Sequence, residues 1–186
     1  LEANSATIYD DGYNNINVNF GGHLVLNDSA LQLVGSSSSY NRLNVNNRAS
    51  VTVNGGSIAA KGGVHISRLG TVTMEGVSLN ANVMNQGALT IEDNTISSYI
   101  SINIASAVSG SGNTFTGKET FRLANFTGDT SALGALIASA TADDAYVGIT
   151  TLGDCTLDDL TSILPGGYKL AASGTIGSGK TATLAE

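Results

Sequence analysis

The amino-acid sequence predicts an all-β chain wound as a right-handed parallel β-helix, a β-solenoid of about eight to nine irregular rungs. Three observations predict it. A 16-residue unit recurs along the chain. Its apolar residues alternate at the spacing of a strand. Turn-forming residues separate its apolar pairs.

The unit reads INVNFGGHLVLNDSAL (16–31), LNVNNRASVTVNGGSI (43–58), VHISRLGTVTMEGVSL (64–79) and ANVMNQGALTIEDNTI (81–96), aligned without a gap. ISINIASAVSGSGNTF (100–115) fits more loosely, and successive starts lie 27, 21, 17 and 19 residues apart. Apolar residues fall at unit positions 1, 3, 9, 11 and 16. Position 3 is Val18, Val45, Ile66, Val83, Ile102; position 9 is Leu24, Val51, Val72, Leu89, Val108. Position 11 is Leu26, Val53, Met74, Ile91, Gly110, and position 16 is Leu31, Ile58, Leu79, Ile96, Phe115. A spacing of two sends one side chain inward and the next outward. NFGG, NNRAS and NQG between the pairs are turn chemistry. One unit cannot bury its apolar face alone, but stacked units pair their strands about 4.8 Å apart and bury it together. Variable connections suit the right-handed coil, since the left-handed kind keeps a stricter six-residue rhythm.

The register extends to both ends. ATIYDDGY (6–13) reads as the second half of a unit, with Ala6 and Ile8 inward. VGITTLGDCTLDDLTS (147–162) places Val147, Ile149, Cys155 and Leu157 inward, and GTIGSGKTATLAE (174–186) does the same for Ile176, Ala182 and Leu184. Residues 116–146 fit poorly: FRLANF (121–126) begins a degraded rung, and ALGALIASATADD (132–144) looks helical, as in a lateral excursion. The whole span 1–186 is expected to be a single solenoid domain.

Composition narrows function. A net charge of −7 and only 12% charged residues disfavour a nucleic-acid partner, which calls for a basic face. No apolar run reaches the roughly 18–20 residues of a membrane span, so no membrane insertion is expected. One cysteine permits no internal disulfide, leaving packing to hold the fold. A start at Leu1 reads as a mature form or an excised piece.

Stacking turns each position into a column. Position 10, outward, reads Thr7, Val25, Thr52, Thr73, Thr90, Ser109, Thr156, Thr183. Of these Thr52, Thr73, Thr90, Thr156 and Thr183 form the candidate contact ladder. A threonine rank suits a repetitive ligand such as ice or a polysaccharide, and it also follows from the strand propensity of threonine alone. The neighbouring column, Ser5, His23, Ser50, Thr71, Ala88, Ala107, Asp154, Thr181, is too irregular for an ice-matching face. Asn17, Asn44, Asn82 and Asn19, Asn46 are read as structural ladders bonded from layer to layer. Asp28, Glu75, Glu92, Asp93, Asp158 and Asp159 form an acidic corner where Glu75, Glu92 and Asp93 could gather Ca²⁺, although a solvated corner is the plainer reading.

Catalytic signals are weak. His23 and His65 point outward from different layers, and Cys155 sits at a core position. Asp143 and Asp144 are an undistinguished carboxylate pair for glycoside cleavage. GSGK (177–180) is a fragment of a phosphate loop with no helix after it. No cofactor is expected and no enzyme activity.

The repeats VTVNGGSI (51–58) and GALTIEDNTI (87–96), the N-V-N triplets and the Lys-poor, Asn/Gly/Ser/Thr-rich composition resemble right-handed β-helical bacterial surface proteins, namely autotransporter passengers and large secreted adhesins. The resemblance covers about two thirds of the chain. It implies an extracellular or cell-surface location and a non-catalytic structural or adhesion role toward a host or matrix glycan or protein surface, and it carries over no functional residue. The repeat starts and stops mid-unit, which would leave unpaired strand edges at both ends. Head-to-tail self-association into a fibre is therefore the first alternative, and a carbohydrate-active enzyme the second.

Overall fold

The computed structural model describes residues 1–172 except 37–38, 104–105, 128, 152–155 and 167. The chain coils through about eight turns, the first six visiting sheets A, B and C in that order. The first turn is β1 (Glu2–Asn4), β2 (Thr7–Asp10) and β3 (Ile16–Val18); the second is β4 (His23–Asn27), β5 (Ala30–Leu33) and β6 (Arg42–Val45). Then come β7 (Ser50–Asn54), β8 (Ser57–Ala60), β9 (Gly63–Ile66) and β10 (Thr71–Glu75), β11 (Ser78–Asn80), β12 (Val83–Asn85). The fifth and sixth turns are β13 (Ala88–Glu92), β14 (Thr95–Ile96), β15 (Ile100–Asn103) and β16 (Ala107–Ser111), β17 (Thr114–Phe115), β18 (Glu119–Ala124). In the seventh, α1 (Thr130–Ala138) precedes β19 (Thr141–Ala142) and β20 (Tyr146–Thr151). In the last, α2 (Leu157–Ser162) precedes β21 (Lys169–Ala172).

All strand pairs are parallel, and the sheets run β1-β4-β7-β10-β13-β16, β2-β5-β8-β11-β14-β17-β19 and β3-β6-β9-β12-β15-β18-β20-β21. Leu24, Val51, Val72, Leu89 and Val108 are strand partners in succession, which reproduces the offsets of 27, 21, 17 and 19 residues. Leu31, Ile58, Leu79, Ile96 and Phe115 stack likewise in sheet B. In sheet C Leu43, Val64, Val83, Ile100, Phe121 and Val147 do the same. These columns are sealed from solvent, apart from half-buried Val108. Period-2 alternation is the cause: every second side chain can reach only the enclosed axis, where removal of apolar surface from water stabilises each turn.

The corner from sheet A to sheet B has its own rule. Ser5, Asp28, Gly55, Gly76, Asp93 and Gly112 follow equivalent strands, and all have positive φ, between 46° and 71°. A left-handed residue at each turn makes the sharp bend, and Gly, Asp and Ser are small or self-bonding enough to adopt it. Just inside, Asn94 and Asn113 are buried. Asn94 accepts from Val77 N (2.8 Å) and donates to Met74 O (3.0 Å), while Asn113 accepts from Asn94 and donates to Ile91 O (2.9 Å).

Three expectations need correction, and one with two alternatives resolves into both. At the N-terminus, Thr7 pairs with Ala30 and Ile8 with Leu31, so residues 7–10 belong to sheet B and the sheet A strand is Glu2–Asn4. Apolar alternation is the same in both sheets and cannot tell them apart; the left-handed bend at Ser5 decides the register. In the fourth turn Val83 pairs with Val64 and Asn85 with Ile66, two residues out of the gapless alignment. Asn85 there turns inward and closes a shorter corner, accepting from Gly87 N at 3.0 Å and donating to Ala107 O at 3.1 Å. Residues 116–146 combine both expectations: β18 and β19 continue sheets C and B, and α1 stands where sheet A would have had its next strand. Finally, Thr156 and Leu157 are not in a strand. Thr156 caps α2 in a reciprocal capping box with Asp159, and Leu157 is the first helical residue. Cys155, Thr183, Ile176, Ala182, Leu184 and GSGK (177–180) lie outside the described residues.

Candidate functional site: the outward face of sheet A

Three columns cover the outward face of sheet A. The middle one is Glu2, Val25, Thr52, Thr73, Thr90 and Ser109, each the strand partner of the next. Thr52, Thr73 and Thr90 thus stand in the predicted ladder, and the Thr90 and Ser109 hydroxyls lie 3.3 Å apart. Thr7 and Thr156 are elsewhere, for the reasons given above. His23, Ser50, Thr71, Ala88 and Ala107 form the second column; Asn4, Asn27, Asn54, Glu75, Glu92 and Ser111 form the third.

Short polar side chains tie this face together from turn to turn. Asn54 Nδ2 donates to Asn27 Oδ1 and Asn27 Nδ2 to Asn4 Oδ1, each at 2.8 Å. On and beside sheet C, Asn44 donates to Asn17 (2.8 Å) and Asn46 to Asn19 (3.0 Å), as the sequence reading expects. Asn82 is not in that ladder. Met84 takes the place, and Asn82 Oδ1 accepts from Ser98 Oγ instead.

The acidic corner keeps Asp28, Glu75, Glu92 and Asp93, exposed or half-exposed along the bend from sheet A to sheet B, and loses Asp158 and Asp159 to α2. Asp28 and Asp93 are left-handed bend residues, and Asp159 serves the cap of α2. Glu75 and Glu92 are strand partners, but Glu92 Oε2 accepts from Ser111 N and Ser111 Oγ, both at 2.9 Å. Among the described residues no three His, Cys, Asp or Glu side chains gather as metal ligands. Hydrogen bonds from the Thr156 backbone and hydroxyl hold the Asp159 carboxyl below its usual value.

Of the weak catalytic candidates, Asp144 is engaged by Lys118 at 2.7 Å and Lys169 at 3.8 Å, and the Lys118 contact depresses its carboxyl below the ordinary value. His65 stands half-buried on the outside of sheet C, its Nε2 donating to Gly62 O at 3.0 Å. The structure also forms a pair that sequence reading missed: His23 Nδ1 and Ser50 Oγ lie 2.6 Å apart on the exposed face. The 27-residue offset that stacks Leu24 under Val51 stacks this pair too, so the signal was present in the repeat.

Two other features had no part in the sequence reading. A cavity of about 260 Å³ lies where α1 packs beside β16, lined by Ile102, Val108, Phe126, Leu133, Leu136 and neighbours. Tyr13 and Tyr40, from the first two corners between sheets B and C, meet edge to face with ring centroids 6.1 Å apart. Aromatic residues in the first 40 positions were the available signal. Comparison with protein-family models, curated proteins and solved structures returned no match.

Proposed function

We propose that this chain is a non-catalytic structural or adhesion module of a secreted or cell-surface bacterial protein, with sheet A as its contact face. The observation that carries the reading is the in-register rank Thr52, Thr73, Thr90, extended by Ser109 and flanked by Ser50, Thr71 and Ala88 on one side and Asn54, Glu75 and Glu92 on the other. A repeating row of hydroxyls about 4.8 Å apart offers the same small contact many times, which suits a repetitive polymer surface better than one small substrate. The test is retention on insoluble cellulose and chitin, with released sugar assayed in parallel. Retention without soluble products supports the module. Steady release of sugar would replace it with the carbohydrate-active enzyme. Thr73→Arg with Thr90→Arg should abolish retention, whereas Thr95→Arg, on the exposed side of sheet B, should not.

A second reading, a self-assembling fibre subunit, is favoured by the first turn. β1, β2 and β3 are terminal strands of their sheets, and Ala3, Ile8 and Ile16 are only half-buried where Leu26, Leu31 and Leu43 one turn on are sealed. Terminal strand edges over a half-covered core accept a further layer, from a second copy or from residues preceding these in a longer chain. At the other end of sheet A, α1 packs beside β16 and stands in the way of a simple head-to-tail joint. Electron microscopy at rising concentration decides: filaments support the fibre, and a monodisperse particle removes it.

A further inference from the structure

Exposed aromatic residues are not spread along the molecule. Leu69 apart, every exposed large apolar side chain among the described residues lies in the first 40: Leu1, Tyr9, Tyr13, Phe20, Val34 and Tyr40. The three tyrosines among them belong to β2 and to the corners that follow β2 and β5. Tyr9 projects from β2 beside Gln32 of β5 and is 57% exposed, while Tyr13 and Tyr40 pack perpendicular at the corner that follows. Ser36 Oγ donates to the Tyr13 hydroxyl at 2.9 Å. The backbone beneath is held firmly: Val34 N donates to Asp10 O at 2.9 Å, Asn41 N to Asn14 O at 3.0 Å, and Gly35 approaches so closely that a Cβ there would lie 1.9 Å from Gly12 O. Rings fixed in advance lose little freedom on binding.

We propose that this corner binds an uncharged saccharide chain. The electron-rich ring faces suit the C–H-rich face of a pyranose, and the phenol, serine and glutamine groups beside them suit its hydroxyls. The corner between sheets B and C carries Asp11 in the first turn, just after Asp10 of β2, and Lys61 in the third, while Arg42 opens β6 in the second, so no field of one sign is present to draw a polyanion. A stable protein interface needs roughly 800 Å² on each side, more than three partly exposed tyrosines supply. The inference rests on the surface-contact reading above and adds a second place and a ligand class.

Titration calorimetry with soluble cellohexaose and galactohexaose, against tri-galacturonate, tests it. The uncharged oligosaccharides should bind, and Tyr13→Ala with Tyr40→Ala should weaken them by at least about tenfold. Thr95→Arg, four turns along sheet B from β2, should leave this affinity within about twofold. Unchanged affinity in the tyrosine variant, binding of galacturonate alone, or capture on gelatin-coated wells with no saccharide bound would each overturn the proposal. If the double tyrosine variant does not fold, Tyr9→Ala carries the test: a several-fold loss is expected, and no loss refutes. Retention on insoluble polymer without binding of any soluble hexasaccharide would sink this site and leave the sheet A reading standing; the reverse pattern would do the opposite.

Discussion

Asp93 Oδ1 occupies the space above Gly112: a Cβ built on Gly112 would lie 1.9 Å from it. The same relationship recurs three turns earlier, where Asp28 Oδ1 would lie 2.4 Å from a Cβ on Gly55. Each aspartate bends its own turn and roofs the glycine of the next. Both residues have positive φ, 52° at Asp93 and 70° at Gly112. Gly112→Ala meets a backbone conformation unfavourable to L side chains and a carboxylate in its way. It should cost about 1–3 kcal/mol in urea unfolding. Asp93→Asn keeps a side chain that tolerates the left-handed region and should cost below about 1 kcal/mol. Equal effects would refute the account of this corner.

Val51 lies between Leu24 and Val72 and is 1% exposed. Val51→Asp places an unpaired carboxylate in the enclosed axis, and a loss above about 4 kcal/mol is expected. Thr52→Asp, one residue on and facing outward, should lose less than about 1 kcal/mol. Circular dichroism across a denaturant series separates the two.

The asparagines should split by burial. Asn94→Ala removes the acceptor of Val77 N and a donor to Met74 O, both inside the corner. Stranding such groups should cost about 3 kcal/mol. Asn46→Ala, at the exposed end of its bond to Asn19, should cost below about 1 kcal/mol because water replaces the partner. Comparable unfolding midpoints for the two variants would contradict this division.

Burial holds the His65 imidazole below its usual value of 6.5; the Gly62 carbonyl pulls weakly the other way, and the Arg42 charge adds to the lowering. The fold therefore prefers the neutral ring. Its contribution is intact above the ordinary value and is lost as pH falls through the depressed one. Stability measured from about pH 7 down to about pH 5 should decline less steeply in His65→Gln than in the parent chain. An unchanged slope would show that the ring titrates freely.

Much of the coil was legible because its cause is periodic. Leu24, Val51, Val72 and Leu89 were found by alternation alone, and their spacing gave the turn lengths. Alternation says which side a residue faces, however, and not which sheet it is in. That is why Thr7 was placed beside the threonine rank when it lies in sheet B. Corners carry the missing information in single residues. Asn85 shortens one by supplying side-chain bonds in place of backbone, and no pattern of apolar positions records that. Thr156 follows from local chemistry that outweighs the repeat: a threonine three residues before an aspartate reads equally well as a helix cap. The tyrosine corner was illegible for another reason. Tyr13 and Tyr40 belong to connections of five and eight residues whose later counterparts shrink to two or three, so no column predicts their meeting.

Turn length has a mechanical consequence. Stacked partners are 27 residues apart between β4 and β7 but only 17 between β10 and β13. Each layer grips only its neighbours, so tension applied along the axis peels the molecule one loop at a time. Every release then frees a different contour, about 90 Å for the longest of these loops and about 60 Å for the shortest. A force trace of this protein would be an uneven staircase, and the height of each step would name the layer that had just let go.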